Sequence, residues 1–184
     1  MENIEYEERV MINKNDYKRV ISDVKRSKKE YRLLRITNTY LDNDEKAMRT
    51  NKQVLRIRKT NFNNAELTFK YRNNDGSNTE INETLKSHPQ IDSVLDNKFK
   101  DYHPIAKLKT KRMEVQYDNY LLAIDKNSYH GVVDYNLEIE AKNQEDAGQI
   151  IKFYCGKYGF EYKRDYEVKS KRAIDLAESK SKKR

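Results

Sequence analysis

Residues 4–10 read Ile-Glu-Tyr-Glu-Glu-Arg-Val, and this stretch decides how the fold is interpreted. The side chains of a β-strand point alternately to its two faces. A strand here therefore places Glu5, Glu7 and Arg9 on one face. The sequence predicts an early strand that presents two acids and a base together.

A second stretch near the far end of the chain, residues 136–140, shows the same alternation. It places Glu138 and Glu140 on one face, and Leu137 and Ile139 on the opposite one. If the two strands face each other, four carboxylates gather, and they cannot all stay ionised in a confined space unless cations neutralise them. Carboxylate oxygens suit hard cations such as Mg²⁺ or Mn²⁺, so the two strands predict a divalent-metal site.

The composition is that of one polar globular domain. The chain has 184 residues, of which 36% are hydrophobic and 37% charged, with a mean hydropathy of −1.12. This length supports a single domain with a sizeable core. We expect that domain at residues 1–177 and a basic tail at residues 178–184. The net charge of +8 indicates an anionic partner: nucleic acid, a phosphorylated small molecule or a membrane surface.

The cysteine content and the apolar segments bear on the cellular setting. The single cysteine, Cys155, permits no internal disulfide and suits a reducing cytoplasm. Cys155 lies on the apolar face of a predicted helix, which indicates a core position. No segment has the roughly 18–20 apolar residues that span a bilayer, and no early run resembles a signal peptide. We therefore expect a cytoplasmic protein without a membrane partner. The three histidines, His88, His103 and His130, show no metal-ligand spacing.

Periodicity predicts about eight strands and two or three helices. Besides the two stretches above, alternation predicts strands at residues 31–41, 54–59, 65–72, 79–85, 106–117 and 120–126. Apolar spacing of three and four residues predicts helical segments at a site capped by Asn15 or Asp16, within 86–104, and from Glu145 to Gly156 or Gly159, with a further short segment around Ile174. Residues 43–53 are interpreted as a polar loop, with Asp42 shaping a turn. A mainly β, eight-stranded antiparallel barrel with peripheral helices accounts for this series.

The strands carry charge on one face, which is unusual for a small barrel. The interior of an ordinary small barrel is apolar, and a solvated outer face is the simplest place for charge. In this chain the acids share strands with bases at both ends of the sequence, which favours a polar interior. The basic residues on these faces are Arg9, Arg56, Arg58, Lys70 and Arg112.

Residues 5–9, Glu-Tyr-Glu-Glu-Arg, resemble the ExExK signature of the CYTH domain, also called the triphosphate tunnel metalloenzyme superfamily. Arg9 stands where lysine is usual. The resemblance continues in the family's order through residues 38–42, 55–58 and 67–70, Thr110, Arg112, Asp125, residues 137–140 and residues 169–171. It covers nearly the whole chain and is similar above all to the single-domain CYTH proteins of low-GC Gram-positive bacteria.

The resemblance implies a charged tunnel that binds a linear triphosphate together with divalent metal. Family glutamates on the first and late strands hold the metal, which assigns that role to Glu5, Glu7, Glu138 and Glu140, with Mg²⁺ or Mn²⁺ as the cofactor. The resemblance assigns the phosphates to Arg9, Arg56, Arg58, Lys70 and Arg112, with Lys169 or Lys171 closing the cage. Asp125 and Glu80 lie on suitable faces to orient ligands or water. The expected catalytic residues are Glu5, Glu7, Arg9 and Asp125.

Three functions fit this resemblance. The first is a metal-dependent triphosphatase acting on inorganic triphosphate, because the chain shows no obvious insertion for recognising a base. The second is a class IV-type adenylyl cyclase that makes cyclic AMP from ATP. The third is a noncatalytic module that binds polyphosphate, a hyperphosphorylated nucleotide or an RNA 5′ end. We expect a small triphosphate-containing substrate, a monomer or homodimer, and no nucleic-acid partner.

Overall fold

Eight strands form a closed antiparallel barrel. The computed structural model describes residues 2–61, 65–85, 99–163 and 167–181. Around the barrel the order is β1-β5-β4-β3-β2-β6-β7-β8, and every neighbouring pair is antiparallel. The strands are β1 (Glu2–Ile12), β2 (Arg32–Asp42), β3 (Val54–Lys59), β4 (Glu66–Arg72), β5 (Asn78–Thr84), β6 (His103–Gln116), β7 (Tyr120–Tyr129) and β8 (Val132–Ala141). The predicted fold class is therefore confirmed.

Four helices lie in the described part of the chain. They are α1 (Lys14–Arg26), α2 (Ala47–Thr50), α3 (Gln144–Tyr158) and α4 (Lys169–Ser181). Helix α1 begins two or three residues earlier than predicted, because the side chain of Asn13 accepts hydrogen bonds from the backbone N–H groups of Asn15 and Asp16. Helix α3 ends at Gly159, one of the two predicted stops, whose positive φ of 69° suits glycine.

The largest hydrophobic core lies outside the barrel. Helices α1 and α3 pack against the outer faces of β1, β7 and β8. The buried side chains there include Val10, Val20, Ile124, Leu137 and Ile151, each fully buried. Cys155 belongs to this cluster, as predicted. Because the apolar faces of these strands point outward, their polar faces point into the barrel.

Several predicted boundaries differ from the structure. Residues 99–102 form a turn and strand β6 begins at His103, so the helix predicted at 86–104 is wrong for its last six residues, and residues 86–98 lie outside the described part. Strand β7 runs on to Tyr129, before a turn in which His130 and Gly131 both have positive φ. The loop predicted at 43–53 contains the single turn of α2.

Helix α4 extends through Ser181, beyond the start of the tail predicted at residue 178. Its buried Ala173 packs with Tyr40 and Leu108, both of which belong to the inward-facing sets of their strands. The helix thus lies across one end of the barrel. No helix among the described residues is both long and apolar enough to cross a membrane.

Candidate active site

The interior of the barrel is a charged cavity of about 460 Å³, within the size range typical of small-molecule sites. Eight basic side chains line it: Arg9, Lys52, Arg56, Arg58, Lys70, Arg72, Arg112 and Lys169. Six glutamates line it as well: Glu5, Glu7, Glu8, Glu80, Glu138 and Glu140. The excess of basic groups gives the cavity a positive balance when all of them are ionised.

The pairing of β1 with β8 brings the two acidic stretches together. Glu7 lies directly opposite Glu140, and Arg9 lies directly opposite Glu138. Directly opposite residues on one face of an antiparallel pair have neighbouring side chains. Two strands from opposite ends of the chain therefore build one wall of the cavity, as the alternation of their residues predicted.

Glu138 is the centre of a buried ion network. Its carboxylate accepts hydrogen bonds from Arg9 Nε at 3.1 Å, Arg112 at 2.6 Å and Lys169 Nζ at 2.7 Å. Burial acts to raise the pKa of Glu138, but Lys169, Arg9 and Arg112 outweigh it and hold this pKa well below the usual range. Glu138 is therefore ionised at neutral pH.

Asp125 is fully buried beside Glu138 and binds two of its three cations, Arg112 and Lys169. Arg112 donates to both of its oxygens at 2.8 Å, and Lys169 Nζ lies 2.5 Å from Oδ2. A bidentate arginine–carboxylate pair fixes both orientation and charge. Burial opposes ionisation of Asp125, but Arg112 and Lys169 lower its pKa.

Lys70 of β4 connects the glutamates of β1 to Glu80 of β5. Its ammonium lies 3.1 Å from Glu5, 3.4 Å from Glu7 and 3.0 Å from Glu80. Glu80 also accepts from Arg56 at 2.9 Å. Burial acts to raise the pKa of Glu80, but Arg56 and Lys70 outweigh it and lower the pKa to about 2.

Glu140 has weaker compensation than its neighbours. The nearest ion-pairing cation among the described residues is Arg112, at 4.0 Å. Burial, together with the charges of Glu5, Glu7 and Glu138, raises the pKa of Glu140 to about 7. Arg112 opposes this rise without overcoming it. Near neutral pH the wall formed by β1 and β8 therefore holds more carboxylates than its cations can neutralise.

Arg56 and Arg58 carry hydrogen-bond donors that the described residues do not satisfy. Arg58 Nε donates to the amide oxygen of Asn38 at 3.3 Å, and no described carboxylate forms an ion pair with Arg58. Burial and the neighbouring charge of Arg56 lower the pKa of Arg58 to about 10. Nε of Arg56 is buried with no hydrogen-bond partner. Buried donors without acceptors are costly, so this part of the cavity is suited to an anion.

Comparison with known sequences identifies the family. The sequence profile of the CYTH domain matches residues 3–155. The chain belongs to the CYTH domain family. Comparison with curated protein sequences gives no significant match.

Solved structures of CYTH-like proteins share the fold of this CYTH domain. A protein from Bacillus halodurans described as a candidate adenylate cyclase has 24% identity and a TM-score of 0.76, with coverage of 93% of this chain and 97% of that one. A candidate adenylyl cyclase from Hippeastrum, described as having a dominant triphosphatase activity, has 16% identity and a TM-score of 0.71, covering 98% and 96%. PH1012 from Pyrococcus horikoshii has 19% identity and a TM-score of 0.64, covering 94% and 98%.

The carboxylates of this CYTH domain have the right chemistry for a hard divalent cation, since all the donors are oxygens. The raised pKa of Glu140 marks a place where added positive charge would be stabilised. Among the described residues, however, no three carboxylate, imidazole or thiol groups converge closely enough to hold a metal ion. Glu7 and Glu138 instead face Arg9, Lys70 and Lys169. A metal bound to these carboxylates would therefore replace their ion pairs with the basic side chains.

Most of the site residues expected from the sequence meet in this cavity of the CYTH domain. The cavity contains Glu5, Glu7, Arg9, Arg56, Arg58, Lys70, Glu80, Arg112, Glu138, Glu140 and Lys169, and Asp125 lies directly behind it. Lys171 is not brought in, because its ammonium pairs with Glu167 and Asp175 on the exposed side of α4. Sequence reasoning missed Lys52, which precedes β3, and Arg72, the last residue of β4, although both line the cavity.

Proposed function

We propose that this protein is a divalent-metal-dependent triphosphatase that hydrolyses inorganic triphosphate or a closely related triphosphate. The observation that carries the proposal is the pair Arg56 and Arg58 inside a cavity whose charged lining is mostly basic: the buried Nε of Arg56 has no acceptor, and Arg58 forms no ion pair with a described carboxylate. A linear triphosphate offers many acceptor oxygens and a high negative charge. It would satisfy these donors and balance the cavity.

The lining of the cavity favours a small inorganic anion over a nucleotide. Binding sites for organic ligands are lined mainly by apolar and aromatic side chains. Here charged side chains dominate, and the few apolar lining residues include Ile36, Tyr40 and Val54. Tyr40 is already packed in a core cluster with Ala106 and Leu108. Tyr71 and Val168 add to the apolar part of the lining, but charged residues outnumber the apolar ones, which supports recognition of charge.

The residues divide into two roles in the proposed reaction. Glu5, Glu7, Glu138 and Glu140 would hold the divalent metal. When bound, such a metal neutralises phosphate charge and lowers the pKa of a coordinated water. Arg9, Lys70 and Lys169 lie beside these carboxylates and would bind phosphate oxygens. Arg56 and Arg58 bind the part of the substrate farther along the cavity.

Asp125 acts in this scheme through other residues. Both of its oxygens are engaged by Arg112 and Lys169, and its side chain is fully buried. It therefore orients two cations toward the phosphates. Glu80 does the same for Arg56 and Lys70, because it remains ionised and binds both.

Product analysis tests the proposed function. The pure protein is incubated with inorganic triphosphate and, separately, with ATP, in Mg²⁺ and in Mn²⁺. We expect orthophosphate and pyrophosphate in equal amounts from inorganic triphosphate, and much slower cleavage of ATP. The test variant is Glu138→Gln, inside the cavity. Its matched control is Glu83→Gln, on the exposed face of β5. The first should lower turnover by at least roughly a hundredfold, as expected for a metal ligand, and the second should leave it unchanged.

Other outcomes would replace the proposal. Cyclic AMP and pyrophosphate from ATP would make the protein an adenylyl cyclase. Tight binding of triphosphate by calorimetry without any product would make it a binding module. Full turnover in Glu138→Gln would show that the reaction occurs elsewhere or in a contaminant.

A further inference from the structure

A chain of buried polar groups runs along the inner faces of β7 and β8, outside the set of residues assigned to metal and phosphate. Asp134 accepts from Tyr129 Oη at 2.6 Å and from Asn127 Nδ2 at 2.9 Å. Asn127 also donates to Asn136 at 2.7 Å, and Asn136 Nδ2 lies 3.5 Å from Asp125. Asn127 and Asn136 are fully buried. The chain therefore connects Asp134, at one end, to Asp125 at the other.

Helix α4 is attached to both ends of this chain. Arg172 donates from Nε to Asp134 at 2.9 Å, and its second nitrogen lies 3.3 Å from the other oxygen. Lys169, three residues earlier, binds Asp125 and Glu138. Residues three apart on a helix lie on the same face, so both side chains project toward the barrel together.

Arg172 and Lys169 differ in what they face. Lys169 lines the cavity, whereas Arg172 and Asp134 do not. The Arg172 and Asp134 side chains are only 13% and 16% exposed, so their bidentate pair lies in a largely dry environment. A bidentate pair fixes direction as well as distance. It fixes the first turn of α4, from which the flexible Lys169 side chain extends.

A second attachment of the same helix is exposed. Arg49 of α2 pairs with Asp175 at 2.6 Å and with Glu178, with about 40% of its side chain accessible. Exposed pairs of this kind contribute little to stability, and these lie farther along the helix from Lys169. Arg49 also attaches to α4, but from α2 and through exposed pairs. It therefore provides a matched control for Arg172.

We propose that Arg172 and Asp134 are positioning residues that hold the Lys169 ammonium at Asp125 and Glu138, and hence at the phosphate end of the cavity. The catalytic part of this inference rests on the proposed function. A misplacement of about 1 Å in a catalytic group can cost roughly a hundredfold in rate. Without the Arg172–Asp134 pair, the Lys169 side chain is still present, but the first turn of α4 that carries it is no longer fixed.

The direct test measures the chemical accessibility of Lys169. Wild-type protein, Arg172→Gln, Asp134→Asn and Arg49→Gln are labelled briefly with acetic anhydride, and modification of Lys169 is quantified by mass spectrometry. Circular dichroism and thermal unfolding confirm that each variant is folded. We expect Arg172→Gln and Asp134→Asn to increase the labelling rate of Lys169 several-fold, and Arg49→Gln to leave it unchanged. Equal labelling in Arg172→Gln and Arg49→Gln would overturn the proposal.

A kinetic cycle supplies the second readout. We expect Arg172→Gln to raise KM for inorganic triphosphate roughly ten- to a hundredfold, and to have little further effect in a Lys169→Ala background. An effect as large in that background as in wild-type protein would show that Arg172 acts independently of Lys169. If wild-type protein neither binds nor cleaves triphosphate, the proposed function fails, while the labelling ratios still decide the positioning of Lys169.

Discussion

Glu140 differs from the other carboxylates of the cavity in the direction of its pKa shift. The pKa values of Glu7, Glu80, Asp125 and Glu138 are lowered because basic groups outweigh the effect of burial. For Glu140 burial prevails, assisted by the neighbouring glutamates, and its pKa rises to about 7. About a third of its side chain, 32%, is accessible, so water in the cavity moderates this effect.

The shift predicts how stability depends on pH in protein freed of metal by a chelator. Between pH 5 and 7 the folded protein retains a proton on Glu140 that the unfolded chain has lost. The contribution of Glu140 to the free energy of unfolding therefore falls as pH rises, by an amount on the order of 2 kcal/mol. Glu140→Gln removes this dependence. Urea unfolding at pH 5 and pH 8 measures the difference between variant and wild type, with Glu83→Gln as the control. Identical pH slopes in wild-type protein and Glu140→Gln would contradict the prediction.

At the scale of elements, the strands of the site were predictable and the helical part was not. Alternation with a period of two placed Arg56 and Arg58 on one face as soon as β3 was recognised, and the barrel confirms that both line the cavity. Lys169 and Lys171 are about 200° apart around a helix, so only one can face the barrel. Which one does so depends on how α4 docks, and its docking contacts come from β2 and β6 through Ala173, from β8 through Arg172, and from α2.

Other residues of the site show what sequence patterns detect and what they miss. Lys52 precedes β3, so strand alternation carries no information about its direction. Arg72 ends β4 two residues after Lys70, and alternation places the two side chains on the same face. Asn127 and Asn136 had a usable signal, because they share the inward faces of Asp125 and Glu138. These two amides carry no charge, so a pattern of charged residues does not reveal them. Their importance becomes visible only with the β7–β8 register, which pairs Asn127 with Asp134 and Asp125 with Asn136.

Asp42 gives a prediction that belongs to the junction between β2 and α2. Its carboxylate is 2% exposed and accepts from the backbone N–H groups of Asn43 at 3.0 Å, Met48 at 2.9 Å and Arg49 at 3.2 Å. The turn role expected from the sequence is confirmed. Asp42→Ala leaves these donors without an acceptor, so we expect the free energy of unfolding to fall by about 2–3 kcal/mol.

Asp44, two residues later, is the matched control for this junction. Its side chain is 99% exposed, and its nearest basic group, on His103, lies 3.7 Å away. Asp44→Ala should change the free energy of unfolding by less than about 0.5 kcal/mol. Chemical denaturation of both variants provides the comparison. Equal losses in the two would mean that Asp42 does not organise the turn.

For the whole molecule, the barrel has exchanged the usual positions of its apolar and polar surfaces. Its largest core lies outside, under α1 and α3, while charged side chains fill the interior. Buried charges are costly unless they are paired and hydrogen-bonded. The pairs around Glu138, Asp125 and Lys70 offset much of this cost, but the buried Nε of Arg56 has no acceptor and Arg58 forms no ion pair with a described carboxylate. The free protein is therefore less stable than one whose cavity holds a polyanion.

This imbalance predicts that inorganic triphosphate stabilises the fold. A ligand at about 100 times its Kd adds about 2.7 kcal/mol, which for a domain of this size raises Tm by about 5–10 °C. Scanning calorimetry with triphosphate in chelator measures the shift without turnover. Arg58→Ala should lose most of it, whereas Lys59→Ala should retain it, because Lys59 is exposed on the outer face of the same strand. Sulfate at matched ionic strength separates specific binding from screening, since screening acts on all exposed charges alike. An equal rise in Tm with sulfate, or in Arg58→Ala, would mean that the arginines of β3 do not bind the anion and that the stabilisation arises elsewhere on this basic molecule.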